Sequence, residues 1–171
     1  MDRKSHLEAW DQLRLRHGIT LRVIEQIPED QLMRHPITGM RTPVELLVHM
    51  YAGLEPMVDS ASTGELVSHD EKPIVAGITT RAQLLEFVKK AWKAGDAKAR
   101  KLTDLQLARM VKTPWGGEFS GAAIVGFIYD EYQHHRGQLY AFVRTYGIEP
   151  VMVWDYDHNA AEFQPGAHAA G

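Results

Sequence analysis

Four times along this chain a hydroxyl residue is followed three positions later by Glu or Gln at the head of an apolar-periodic stretch. The pairs are Ser5…Glu8, Thr42…Glu45, Thr80…Gln83 and Thr103…Gln106. This is the capping-box spacing: the hydroxyl accepts from a backbone N–H inside the helix, and the Glu or Gln side chain reaches back to the cap's own N–H. At the second pair Pro43 takes the first helical position, where a missing N–H and a fixed φ do no harm. The punctuation predicts helices over about 5–26, 42–60, 80–94 and 121–146, with a short extra one over 103–110. Gly147 supplies a left-handed cap to the last, and Pro150 follows it.

Four long helices with short or medium connections pack most simply as an all-α, up-down four-helix bundle. Nothing in the pattern demands a sheet. Segments 35–39 and 68–78 read as connections, and the apolar stretch 151–156 reads as extended chain laid back on the bundle. With 171 residues, 44% of them hydrophobic, the chain can bury one core. A single domain over 1–158 is expected, with the Ala/Gly-rich 159–171 as a flexible C-terminal tail.

Composition narrows the function. There is no cysteine, so disulfides, thiolate zinc sites and a cysteine nucleophile are excluded. The formal net charge is -3, with no basic field to attract nucleic acid or an acidic membrane surface. The N-terminus lacks the apolar core of a signal peptide, and no run reaches the roughly 18 apolar residues that a membrane span needs. A cytoplasmic location is the expectation.

The chemistry lies in the last helix. Its apolar seam runs Ile124, Ile128, Glu131, His135, Gln138, Phe142, in alternating steps of four and three that mark a packing stripe. Carboxylate, imidazole and amide thus stand where packing alone would place Leu or Ile, and burying them is costly without partners. A metal ion partners two of them. A third ligand must come from another helix, and His49, set in the apolar run Leu46-Leu47-Val48-His49-Met50, is the best candidate. The bland reading is a core histidine bonded to a neighbour plus an ordinary Glu–His helix pair. His134 is an alternative third ligand, although it lies about 100° around the helix from His135. Gln138 reads as a group that orients a ligand or a bound water.

Several segments together resemble the DinB/YfiT-like proteins: Thr42-Pro43-Val44-Glu45-Leu46-Leu47-Val48-His49-Met50, the loop Pro114-Trp115-Gly116-Gly117, His135-Arg136-Gly137-Gln138-Leu139, and Tyr146-Gly147-Ile148-Glu149-Pro150. The likeness covers about residues 5–156. It implies a four-helix bundle, frequently a homodimer, holding a divalent metal on three histidines. His49 and His135 match the first and last of these, and Glu131 stands at the middle histidine's position. Two histidines and a carboxylate leave open coordination positions. One divalent ion (Zn, Ni, Fe or Mn) is therefore expected on His49, Glu131 and His135. The resemblance further implies a metal-dependent enzyme, a hydrolase or a thiol-dependent transferase or isomerase. It would act on a small-molecule substrate, with a low-molecular-weight thiol as a candidate partner. A non-catalytic, stress-associated helical dimer with a vestigial or structural site is the alternative.

Other positions carry weaker signals. Gly137, inside a helix, suggests close approach of another backbone. Arg136 points off the seam and is expected to pair with a carboxylate or a partner subunit. His17 reads first as structural or surface, and otherwise as lining the cavity. The Trp115-Gly116-Gly117 loop fits neither phosphate-binding glycine motif and is expected to pack its Trp. No Gly-x-Ser-x-Gly supports a serine hydrolase.

Overall fold

A computed structural model describes residues 1–167. The helices are α1 (Arg3–Gln26), α2 (Pro43–Ala52), α3 (Leu54–Thr63), α4 (Lys72–Ala76), α5 (Arg81–Ala99), α6 (Asp104–Ala108) and α7 (Gly121–Thr145). Before α7 come two strands, β1 (Met110–Lys112) and β2 (Glu118–Ser120). α1, α2 with α3, α5 and α7 are the four arms of an all-α bundle, and each packs on others around one core.

Three of the four capping boxes are present with both halves formed, at Thr42/Glu45, Thr80/Gln83 and Thr103/Gln106. The fourth is not. α1 starts earlier, on Asp2, whose carboxylate accepts from the Ser5 N–H at 2.8 Å. An aspartate at the positive end of a helix is as good a cap as serine and adds its charge. α5 runs on to Ala99, beyond the expected end near 94.

The expected single helix over 42–60 is two helices, broken at Gly53. Pro56 explains the break: it has no N–H for the carbonyl of Ala52, four residues back, and its ring crowds that carbonyl. α2 is enclosed on most sides, with Val44, Leu46, Leu47, Val48 and Tyr51 fully buried. Glu45, His49 and Ala52 are its less buried residues and fall at i, i+4 and i+7, one face. That face looks out of the core, and His49 is on it.

The loop after α6 is a β-hairpin, with Val111 paired to Phe119 in antiparallel register. Gly116 and Gly117 take φ of 93° and 86° at its turn, the left-handed conformation that glycine adopts without steric cost. Such short strands carry too little alternation to be read from sequence. Trp115 is not packed as expected: at the tip of the hairpin it is 60% exposed. The connection over 68–78 contains the short helix α4, which lies against α2.

Residues 159–164, expected to be loose, lie against α1. Asn159 donates to the Leu15 carbonyl at 2.9 Å, and Phe163 is buried against His17. Arg14, 1% exposed, donates to the Glu162 and Gln164 carbonyls while bound to Asp11. A Cβ on Gly18 would fall 2.5 Å from the Phe163 Cβ. Gly18, rather than Gly137, is therefore a glycine that lets another segment come close; nothing lies within 4 Å of a Cβ built on Gly137. Residues 168–171 of the expected tail lie outside the described residues. Among the described residues no helix is long and apolar enough to cross a membrane.

Candidate metal centre

His49, Glu131 and His135 each offer one ligand atom within 4.8 Å of the others. Two come from one face of α7, one turn apart, and the third crosses from α2. The imidazole centroids of His49 and His135 are 4.9 Å apart and nearly perpendicular. Glu131 Oε2 lies 3.0 Å from His135 Nε2 and 3.7 Å from His49 Nε2. The two Nε2 atoms and the carboxylate oxygen thus face one small volume.

The opposite ring nitrogens decide whether this set fits a cation. His49 Nδ1–H donates to Glu71 Oε1 at 2.7 Å, and His135 Nδ1–H donates to Gln138 Oε1 at 3.0 Å. Gln138 is itself fixed, its amide N–H donating to His134 Nε2 at 3.0 Å. In the neutral tautomer with its proton on Nδ1, each ring presents an Nε2 lone pair toward Glu131; with both nitrogens protonated, His135 Nε2–H instead donates to Glu131 Oε2. In the neutral form two lone pairs and a carboxylate face one another with no proton among them, an arrangement that a cation between them satisfies. The donor set therefore fits a divalent ion on two imidazoles and a carboxylate. The bonds to Glu71 and Gln138 are the outer support that orients histidine ligands.

Glu71 is the functional candidate that sequence reading missed. It precedes α4 in the connection over 68–78, where no periodicity places a side chain. Of the expected supporting residues, Gln138 and His134 are brought to the site, His134 through Gln138 alone. His17 is not. It is buried on the far side of Tyr51, stacked on Trp92 at 4.4 Å. Glu131 is also less enclosed than its seam position suggests, its side chain being 55% exposed, because the seam opens there into a cavity.

That cavity has a volume of about 410 Å³ and includes His49 and Glu131 in its wall. Met50, Leu54, Met57, Phe127 and Ile128 supply its apolar surface, with Trp115 of the hairpin at its edge. His69 faces it too, with Nε2 3.8 Å from Glu71 Oε1.

A second polar cluster threads the core. Thr20 Oγ1 donates to the Arg16 carbonyl and contacts the Tyr132 hydroxyl at 2.7 Å; Tyr132 contacts Tyr51 at 3.3 Å, and Tyr51 contacts His17 Nδ1 at 2.8 Å. Each hydroxyl has one proton. Four bonds ending on Arg16 therefore run in one direction, from His17 Nδ1–H through Tyr51, Tyr132 and Thr20. Burial pushes His17 down to about 3 and Tyr132 up to about 12, so the thread is neutral near pH 7. Arg136, expected to pair with a carboxylate or a partner subunit, has its guanidinium 5.9 Å from the Tyr140 ring centroid.

A family model described as the DinB superfamily matches residues 12–139. The chain belongs to the DinB superfamily. Among solved structures, a DinB-like protein of Bacillus subtilis, YjoA, superposes with a TM-score of 0.65 at 20% identity, covering 81% of this chain and 91% of that one. A protein of Exiguobacterium sibiricum assigned to the DinB family gives a TM-score of 0.58 at 21% identity, covering 86% and 97%. At such identities the likeness is one of fold, and it extends over nearly the whole of each DinB relative. No curated protein matches the chain.

Proposed function

We propose that this DinB-superfamily protein is a metal-dependent enzyme acting on a small molecule held in the cavity beside His49. One observation supports the reading: His49, Glu131 and His135 converge on one small volume, each imidazole is held through its Nδ1, and His49 and Glu131 also line the cavity. A purely structural ion is closed off by four protein ligands. Here the candidate ligands number three, and two of them, His49 and Glu131, border open space.

Bound there, a divalent cation supplies the Lewis acidity that makes water or a small thiol nucleophilic near neutral pH. Zinc, nickel, iron and manganese all accept such a ligand set. The chain's own groups do the rest. Glu71 and Gln138 hold the imidazoles in one tautomer. Phe127, Ile128 and Met57 keep bulk water from one side of the bound molecule, which strengthens the electrostatics of the site. His69 stands at the wall as a proton donor or acceptor for a substrate. We also infer that the chain forms a homodimer; the exposed Met152 and Trp154, at 58% and 70%, support it as apolar surface close together in sequence.

The test begins with elemental analysis of protein purified without an affinity tag. One equivalent of metal per chain is expected, lost in His135→Ala. Cobalt(II) substitution should then give a visible spectrum that shifts on adding acetohydroxamic acid, because a vacant position admits it. A metal-free protein that takes up no ion would overturn the reading. A cobalt spectrum indifferent to added ligands would establish instead the non-catalytic dimer with a structural site.

A further inference from the structure

The walls of the cavity say which molecules it accepts. Neither lysine nor arginine lines it; its ionisable groups are His49, His69, Glu71 and Glu131. Glu71 and Glu131 beside a divalent ion bring the centre to no net charge, whereas a histidine in place of Glu131 would leave one positive charge to attract anions. A carboxylate or phosphate on the body of a ligand thus meets two carboxylates and neither lysine nor arginine across a mostly apolar wall. Uncompensated burial of such a group costs several kcal/mol. An uncharged apolar body instead finds Met50, Leu54, Met57, Phe127 and Ile128, with two flexible thioethers that adapt to irregular shapes. The volume of about 410 Å³ is near the lower end for small-molecule sites.

We propose that the site selects an uncharged, predominantly apolar small molecule, aromatic or branched, with a single metal-binding polar head, and discriminates against anionic ligands, carboxylate-bearing thiols included. The head sits at His49, Glu131 and His135, and the body lies along Met57 and Phe127 toward Trp115. The inference rests on the metal-site reading for the head, while the selectivity of the wall holds without the ion.

Two titrations separate these parts. Acetohydroxamic, benzohydroxamic and 4-carboxybenzohydroxamic acids, titrated calorimetrically into zinc-loaded protein, keep the head constant and vary the body. Benzamide and benzoate, titrated into metal-free protein and followed by NMR at the Met57 methyl, test the wall alone. Benzohydroxamic acid should bind at least about tenfold more tightly than either of the other two, since a phenyl ring buries far more apolar area than a methyl. Benzamide should shift the Met57 signal at concentrations where benzoate does not. Equal or tighter binding of the carboxylated probe, or equal response to benzoate, would overturn the proposal. If the wall discriminates but zinc adds nothing to hydroxamate affinity, the metal reading falls and the selectivity stands. If hydroxamates bind through zinc without regard to their bodies, the reverse holds.

Discussion

His49 and Glu71 are joined by a 2.7 Å hydrogen bond from Nδ1–H to carboxylate, and through it the connection before α4 reaches the candidate metal centre. Without Glu71, His49 can turn or change tautomer, presenting N–H instead of a lone pair. Glu71→Gln should keep the hydrogen bond in weakened form and Glu71→Ala should remove it. Loss of outer partners typically costs 10–100-fold in metal affinity, so zinc titration should show Ala weakened by about that factor and Gln by less. Equal affinity in parent and Ala variant would remove Glu71 from the site.

Glu131 is the departure from the three-histidine pattern, and it can be tested in both directions. Glu131→Gln should weaken metal binding by about tenfold or more, a neutral amide being a poor replacement for a carboxylate. Glu131→His should retain binding and shift preference toward zinc or nickel over manganese. Titrations of parent and both variants with the three ions check this.

Acid should destabilise the protein through His17. Its folded pKa, about 3, lies below the ordinary value of about 6.5, so between those limits the unfolded chain binds the extra proton. Stability then rises with pH across that window and is lost as pH falls through it. Lowering pH from about 7.5 to 5 should cost on the order of 2 kcal/mol from this group alone. His6, lowered chiefly by burial, adds in the same direction. Denaturant midpoints at the two pH values should show a smaller difference in His17→Gln than in the parent.

The C-terminal segment should prove structural. Gly18→Ala puts a Cβ 2.5 Å from Phe163 and 2.6 Å from the Asn159 amide, and overpacking of this kind costs about 1–3 kcal/mol. Truncation after residue 158 should cost more, because it strips carbonyl partners from the fully buried Arg14. Thermal melts of the two variants against the parent give the order.

Association is checked by sedimentation. A homodimer is expected at micromolar concentration, and Trp154→Asp should shift the equilibrium toward monomer if that segment lies at the interface.

The arms of the bundle, and the juxtaposition of Glu131 with His135, were legible because both rest on helical spacing. Capping pairs mark where helices begin, and a four-residue step puts Glu131 and His135 on one face whatever the tertiary context. His49 was legible as a polar break in an apolar run, reinforced by the family likeness. Pro56 was there to be read, but the continuous apolar pattern on either side masked the break. Glu71 gave no signal, since its role depends on a connection folding back over α2. The hairpin was hidden by strands of three residues. Ala and Gly suggested looseness for the whole tail, while residues 159–164 are held by a few hydrogen bonds and one phenyl ring.

The seating of Asn159 on the Leu15 carbonyl joins residues 144 apart in sequence. Closing so long a loop costs entropy that a few local bonds cannot recover, and the docking surface exists only once α1 is held in the bundle. Helix formation and helix pairing, largely local events, therefore come first, and the tail attaches to a bundle already condensed. In native-state hydrogen exchange the Phe163 and Gln164 amides should open at lower free energy than the α2 core, detaching while His49, Glu131 and His135 stay together.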